Sequence, residues 1–331
     1  MFIAGAGENL GMESDMQMTS AARGLAAAVA CLALALPAAA QAAGTPTVST
    51  GPARAVSYGS ATLTGTLNPK GSETSYYFQY GVTRAYGGQT TIVGAGAGTG
   101  SLDVSLPIAG LQPLTKYHYR LVAVNAAGPT IGADRTFTTT KVPLSLAILA
   151  APNPVVFGGI VTVQGTLSGT ENGNREVVLQ ANAFPFTAGF LDAPLNPELT
   201  SAAGSFTFTL PGLSTVTEFR VVTSTNPPVI SPVALENVAV RVVGHVARAR
   251  RPHFARIYGT VTPAEDGMQI AVLRTVRGRG VLVGGTILRH SSTTGSSFSC
   301  VVPVRAGVYR VLARVTSGAQ VSNYGSPLLI G

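Results

Sequence analysis

The chain of 331 residues contains no tryptophan, only two cysteines and only 14 acidic side chains. Cys31 lies in the N-terminal segment that reads as a cleaved leader, so the remaining Cys300 cannot form an internal disulfide. So few carboxylates leave few candidates for general acid or base catalysis. Helical periodicity is also nearly missing, whereas 39 glycines and 21 prolines punctuate short runs of alternating Val, Thr, Leu and Ala. These features predict an all-β protein built from short strands.

Motifs of the common enzyme classes are missing as well. The sequence has no Gly-x-Ser-x-Gly elbow, no His-Glu-x-x-His and no phosphate-binding loop. Glu265 and Asp266 precede Gly267 in a predicted turn, where adjacent acids are expected to be solvated. The four histidines are scattered, and two of them flank a cluster of arginines that would repel a metal ion: His118, His245, His253 and His290. We therefore expect no enzyme, metal or cofactor, with an unfamiliar catalytic site as the remaining alternative.

Two short phrases recur three times at nearly constant separation. The first phrase reads Gly65-Thr66-Leu67, Gly165-Thr166-Leu167 and Gly259-Thr260-Val261. The second phrase reads Tyr119-Arg120-Leu121, Phe219-Arg220-Val221 and Tyr309-Arg310-Val311. Each pair of phrases is separated by 54, 54 and 50 residues, with alternating apolar positions around both. This repeat predicts three tandem β-sandwich domains, because each strand places every second side chain in a core.

The first predicted domain, residues 45–140, carries the most specific motif. Its four fixed positions are Leu111, Pro113, Thr115 and Tyr117. Together with the later Ala-x-Asn-x-x-Gly turn, this pattern resembles the fibronectin type III family, in which these residues form a structural tyrosine corner. The resemblance implies that the Tyr117 hydroxyl hydrogen-bonds to backbone upstream while its ring closes the core. It implies no ligand, since neither an Arg-Gly-Asp tripeptide nor the early-strand tryptophan is present.

The second and third predicted domains, residues 142–243 and 244–331, resemble bacterial immunoglobulin-like repeats more loosely. Phe184, Phe186 and Phe190 cluster after a predicted strand, either as a cap on the sandwich or as the lining of a groove. Cys300 alternates with Phe298 and Val302, which predicts a buried core position.

Residues 1–42 read as a leader with a secretory signal peptide. Arg23 precedes a 13-residue apolar run, and Ala40-Gln41-Ala42 supplies small residues for cleavage after Ala42. The run is shorter than the roughly 20 residues of a membrane span, so no transmembrane segment is expected after cleavage. Retention of the leader as an anchor is the alternative, and the start codon is Met1, Met12, Met16 or Met18. We expect a secreted, extracellular or wall-associated protein.

Charge is distributed unevenly over the three predicted domains. Residues 142–243 hold three cations and six anions, whereas residues 244–331 hold eleven arginines and two acids. Such a field attracts anionic polymers, and five arginines are predicted to contact them: Arg248, Arg250, Arg251, Arg277 and Arg279. The first three are expected in a junction before the first strand of the third domain. A soluble basic surface packed on the acidic middle domain is the competing interpretation.

The leading functional hypothesis is a non-catalytic bacterial adhesion, scaffold or spacer module. The alternative is an accessory protein that binds polysaccharide or an anionic wall polymer. Its partners are then cell-wall or host-surface anionic polymers or proteins. Nucleic acid is not expected, because the single Arg277-Gly278-Arg279-Gly280 stretch fits a hairpin turn better than an RNA contact.

Overall fold

The computed structural model describes residues 44–194 and 197–331. The regular secondary structure in these two ranges consists of β-strands, and no α-helix occurs in them. The strands form facing sheets around three apolar cores. The predicted signal peptide, its cleavage site and Cys31 lie outside the described residues. In the described part, no helix is long and apolar enough to cross a membrane.

The first sandwich contains nine strands. They are β1 (Thr47–Thr50), β2 (Ser60–Asn68), β3 (Thr74–Gly81), β4 (Gly88–Gln89), β5 (Val93–Gly96), β6 (Leu102–Ala109), β7 (Lys116–Asn125), β8 (Gly128–Ile131) and β9 (Arg135–Thr138). One sheet has the order β1-β2-β6, and the other has the order β4-β3-β7-β8 with β5 paired to β3 and β9 paired to β7. Inward-facing residues such as Leu63, Phe78 and Leu121 are fully buried between them, as the alternation predicts.

The second sandwich follows the same plan with ten strands. They are β10 (Ser145–Ala151), β11 (Val155–Val156), β12 (Gly159–Ser168), β13 (Glu176–Ala183), β14 (Leu191–Asp192), β15 (Glu198–Leu199), β16 (Ser205–Leu213), β17 (Thr217–Thr223), β18 (Ala234–Glu236) and β19 (Val238–Ala239). Strands β10-β12-β16 form one sheet, and β13 pairs with β14, β15 and β17 in the other.

The third sandwich contains nine strands. They are β20 (Arg241–Arg248), β21 (Phe254–Thr262), β22 (Gln269–Val276), β23 (Arg279–Ile287), β24 (Arg289–Ser292), β25 (Gly295–Pro303), β26 (Gly307–Arg314), β27 (Asn323–Tyr324) and β28 (Leu328–Ile330). One sheet has the order β20-β21-β25-β24, and the other has the order β23-β22-β26-β27 with β28 paired to β26. Cys300 is buried in this core, where desolvation raises the pKa of its thiol.

The repeated phrases occupy equivalent strands of the three sandwiches. The glycine phrase lies on β2, β12 and β21, each a middle strand of the smaller sheet, and the arginine phrase lies on β7, β17 and β26 of the larger sheet. At Gly165 the ring of Phe206 on the paired strand covers the space that a side chain would fill. Gly259 is covered in the same way by Phe298. Each unit packs two sheets around one core, which is the arrangement of a fibronectin type III-like or immunoglobulin-like β-sandwich. The fold class is therefore all-β.

The third core begins earlier in the chain than the predicted boundary at Gly244. Strand β20 starts at Arg241, and Val240 and Val242 are already buried in the third core. Val238 belongs to the second core. The alternating segment of residues 238–242 is therefore divided between two sandwiches, because apolar alternation continues across the point where the chain passes from one core to the next.

Backbone hydrogen bonds join the second and third sandwiches. The loop after β26 contains Ala319 and Val321 and takes part in both bonds. Val216 N–H donates to the Ala319 carbonyl at 2.8 Å, and Val321 N–H donates to the Val238 carbonyl at 2.8 Å. The Gln320 side chain adds a bond to the Ser214 carbonyl at 2.9 Å. The connection between these two sandwiches is therefore hydrogen-bonded structure and not a free linker.

Candidate functional site: the arginine end of the third sandwich

Three turns of the third sandwich meet at the end that is remote from the second sandwich. The β20–β21 and β25–β26 turns are neighbours, since Val304 N–H donates to the His253 carbonyl at 2.9 Å. The β22–β23 turn joins them across a pocket that Val276 lines from one sheet and Pro303 from the other. Strand order therefore brings together chain segments that are far apart in sequence.

Seven arginines lie on these turns or in the strand ends that lead into them. We call this surface the arginine end, and its members are Arg248, Arg250, Arg251, Arg274, Arg277, Arg279 and Arg305. Six of the seven are exposed, and Arg274 is half-buried. Among the described residues, none of the seven forms an ion pair. The arginine end therefore presents uncompensated positive charge to solvent.

The five arginines predicted from the sequence all belong to this surface, but three of them lie in a different local structure from the one expected. Arg248 ends β20, and Arg250 and Arg251 lie in the β20–β21 turn, not in a junction before the first strand. The reason is the earlier start of the third core. Arg251 also places its guanidinium 4.4 Å from the ring centroid of Phe254, which fixes part of the turn.

Arg277 and Arg279 are presented by a two-residue hairpin turn, as the sequence predicts. The turn residues Arg277 and Gly278 have φ values of 50° and 77°. Positive φ at both positions matches the twist of a tight hairpin, and glycine adopts it without steric cost. Both arginine side chains are consequently exposed at the tip.

Arg274 and Arg305 were not singled out by the sequence motifs. Arg274 pairs with the fully buried Tyr309 in the β22–β26 register, so it lies on the inward face of its strand. The Tyr309 hydroxyl donates to the Arg305 carbonyl at 2.8 Å, and this bond fixes the β25–β26 turn. A signal for Arg274 exists in the sequence, because it follows Ile270 and Val272 at an alternate, core-facing position.

The two acids of the third sandwich lie at its opposite end. Asp266 accepts hydrogen bonds from Ser296 and from His290, the latter at 2.9 Å, and these bonds lower its pKa. Glu265 is buried beside Ser317, and desolvation raises its pKa. The expectation that both acids are solvated is therefore wrong for Glu265, because the loop after β26 covers it.

The tyrosine-corner residues form a structural site in the first sandwich. The Tyr117 hydroxyl accepts a hydrogen bond from the Gln112 backbone N–H at 2.9 Å. Thr115 donates from its hydroxyl to the Pro113 carbonyl at 2.8 Å, and Leu111 is buried in the core. The Tyr117 ring stacks on Phe137 at a centroid distance of 5.6 Å. These contacts hold the chain entering β7.

The first sandwich also contains a polar cluster, centred on Asp134. On the first sandwich, Asp134 accepts hydrogen bonds from Tyr86 at 2.7 Å and interacts with His118 at 2.9 Å. Burial alone would raise the pKa of Asp134, but these two hydrogen bonds lower it overall. No group of three or more His, Cys, Asp or Glu residues within residues 44–194 and 197–331 is arranged to hold a metal ion.

The phenylalanine cluster does not form one groove. Phe184 packs edge-to-face on Phe186, with ring centroids 5.7 Å apart, and lies against Gly318 of the third sandwich. Phe190 lies instead beneath the guanidinium of Arg220 at 4.2 Å. Phe184 and Phe186 thus cap the end of the second sandwich at its junction with the third.

No family model matches the chain, and no curated protein matches it. Among solved structures, domains from titin are 13% identical over 86% of this chain and 98% of that chain, with a TM-score of 0.36. A tetra-tandem repeat in the extending region of a large adhesion protein is 15% identical over 86% of this chain and 74% of that chain, with a TM-score of 0.27. The FN1–FN3 domains of chicken CNTN1 are 12% identical over 85% and 96%, with a TM-score of 0.26. These likenesses are too distant to indicate a function.

Proposed function

We propose that the chain is a non-catalytic adhesion, scaffold or spacer module of a bacterial cell surface. The observation that carries this proposal is the hydrogen-bonded junction between the second and third sandwiches. A linker without such bonds lets domains reorient freely, whereas paired backbone groups hold a fixed spacing. A fixed spacing is what a scaffold or spacer requires. The proposal includes export with cleavage after Ala42, which N-terminal sequencing of exported protein tests directly.

The fixed spacing is tested by spin labels on exposed threonines of the two sandwiches. In the chain cleaved after Ala42, which no longer contains Cys31, Thr207→Cys and Thr275→Cys place one label on each sandwich, while the buried Cys300 is shielded from the reagent. Pulsed electron resonance should give one narrow distance distribution. Val321→Pro removes the N–H that donates to the Val238 carbonyl and should broaden the distance distribution. Gln320→Ala removes one side-chain hydrogen bond and should broaden the distribution less. A broad distribution before any junction substitution would overturn the scaffold proposal.

A second candidate function is attachment to anionic polymers through the arginine end. It is favoured by seven arginines that gather on one surface with no ion-pair partner in the described chain. Guanidinium groups bind carboxylate, sulfate and phosphate through paired N–H donors. Since the screening length falls from about 10 Å at 0.1 M salt to about 3 Å at 1 M, such binding must weaken as salt rises.

Heparin chromatography of the full chain tests this second candidate. The unmodified chain should be retained at low salt and released by a salt gradient. A variant with glutamine at Arg248, Arg250, Arg251, Arg277 and Arg279 should elute much earlier. A control that replaces Arg54, Lys70, Lys116, Arg135 and Lys141 removes the same charge from the first sandwich and its linker. Equal elution of the two variants would show that total charge, and not the arginine end, governs retention.

A further inference from the structure

A pocket opens between the two sheets at the arginine end. Its volume is about 400 Å³, which lies within the range of small-ligand sites. The lining is mostly apolar with two arginines: Arg274, Val276, Val281, Val283, Pro303, Arg305 and Tyr309. The hydroxyl of Tyr309, which also lines the pocket, is already bonded to the backbone of Arg305. The pocket therefore offers an apolar interior and cationic groups at its side.

Arg274 lies where the strand pattern calls for an apolar residue. The flanking inward positions of β22 are Val272, which is fully buried, and Val276, which lines the pocket. Arg274 pairs with Val281 on one neighbouring strand and with Tyr309 on the other, so its side chain lies on the inward face of the sheet. Within the described residues, no carboxylate forms an ion pair with it. A half-buried charge without a counter-ion beside apolar surface relies on water alone, so an anion that reaches it gains a partner with no competing carboxylate.

From this arrangement we infer that the pocket binds an amphiphilic anion, namely a single apolar chain or ring that ends in a carboxylate or phosphate. The apolar part fills the space beside Val276, Val281 and Val283, where its burial supplies the driving force. The anionic end accepts hydrogen bonds from the guanidinium groups of Arg274 and Arg305. A polymer with no apolar part would instead use the exposed arginines around the pocket, so this site goes beyond the polyanion attachment proposed above.

Titration calorimetry on the full chain with short probes tests the ligand class. Octanoate and octyl phosphate should bind saturably with one site per chain. Octanol lacks the anion, whereas acetate and inorganic phosphate lack the apolar chain, and each should bind at least about tenfold more weakly than the corresponding amphiphile. Octanol binding as tightly as octanoate, or octanoate showing no saturable binding, would overturn the inference. In the latter case Arg274 serves only as a solvated charge that closes the end of the sandwich.

Matched variants separate the pocket from general electrostatics. Arg274→Gln should weaken octanoate binding by about tenfold or more, because a charged hydrogen-bonding partner is lost. Arg310→Gln removes the same charge from the exposed outer face of the neighbouring strand and should leave octanoate affinity unchanged. Equal losses in both variants would contradict the inference.

Val281→Phe fills the pocket without changing charge, and Val281 is 47% exposed, so the core is little disturbed. This variant should lose octanoate binding while it keeps heparin retention. In the unmodified chain, absence of heparin retention together with saturable octanoate binding would count against the polyanion proposal alone. Octanoate affinity equal to that of the unmodified chain would place the ligand outside the pocket and refute the inference.

Discussion

The Nε–H of Arg220 donates to the Gln180 side-chain carbonyl at 2.8 Å across strands β13 and β17. The same bond, also at 2.8 Å, joins Arg120 to Gln79 in the first sandwich. Each guanidinium also covers an aromatic ring: Arg220 lies 4.2 Å from the Phe190 centroid, and Arg120 lies 4.4 Å from that of Tyr86. In two of the three units, the arginine of the repeated phrase therefore joins two strands through a side-chain hydrogen bond and contacts an aromatic ring. We call this arrangement the cross-strand clamp.

This clamp predicts a measurable coupling between Arg220 and Phe190. A double-mutant cycle with Arg220→Met and Phe190→Leu, measured by urea unfolding, should give a coupling free energy of about 0.5–1 kcal/mol. Arg310, the third member of the phrase, pairs with Leu273 instead of a glutamine. Arg310→Met should therefore change stability by less than about 0.5 kcal/mol. A coupling near zero would show that the ring contact contributes nothing.

Gly259 is required by the close approach of its neighbours. A Cβ at this position would lie 1.9 Å from the Val243 carbonyl oxygen and 2.9 Å from Cζ of Phe298. We expect Gly259→Ala to lower the free energy of unfolding by at least about 2 kcal/mol, because neither backbone nor ring can yield easily. At Gly280 the nearest atom is the flexible Cδ2 of Leu273 at 3.4 Å, so Gly280→Ala is the matched control. Equal effects in urea melts would refute this explanation of the repeat.

Removal of the Tyr117 hydroxyl should destabilise the first sandwich. In Tyr117→Phe the Gln112 N–H loses its acceptor, and we expect a loss of roughly 1 kcal/mol or somewhat more. Lys116→Ala changes an exposed neighbour and should remain within about 0.5 kcal/mol. Denaturant unfolding followed by circular dichroism measures both. Equal losses of unfolding free energy in the two variants would show that the tyrosine corner does not stabilise the first sandwich.

Much of the fold could be predicted because the pleat of a strand is visible in local sequence. Apolar residues alternate over residues 268–276 and 308–315, and the structure has β22 at Gln269–Val276 and β26 at Gly307–Arg314. Alternation alone locates such strands, since one face must be apolar. It does not locate the boundary between two sandwiches, because Val238 and Val240 alternate without interruption while they enter different cores.

The candidate site was only partly predictable for a related reason. Arg251, Arg277 and Arg305 are far apart in sequence, and only the order of strands in the two sheets places their turns at one end. The burial of Glu265 likewise depends on Ser317, which arrives from a loop about 50 residues later. Long-range pairing is set by tertiary packing, which single-sequence patterns do not encode.

One buried carboxyl links the stability of the second sandwich to pH. Glu236 is fully buried, and one of its oxygens accepts from the Val155 N–H at 3.2 Å. The other oxygen, Oε2, has no hydrogen-bond partner among residues 44–194 and 197–331. Desolvation raises the pKa of Glu236 from its ordinary value of 4.5 to about 7, although the Val155 bond opposes the shift.

Because the folded-state pKa lies above that of the unfolded chain, the folded state binds the proton more tightly. The stabilising contribution is fully present below about pH 4.5 and is lost as pH rises through about 7. Glu236→Gln abolishes this loss, so the stability of the variant relative to the unmodified chain should improve by up to about 3 kcal/mol between pH 4.5 and pH 8.5. Urea unfolding at both pH values measures the change, and comparison of the two proteins cancels the contributions of Asp134, Glu265 and Asp266.

The exposed Glu198→Gln variant controls for the loss of one negative charge. If the difference between Glu236→Gln and the unmodified chain is the same at both pH values, the pKa of Glu236 is the same in the folded and the unfolded protein, and the buried-acid assignment is wrong.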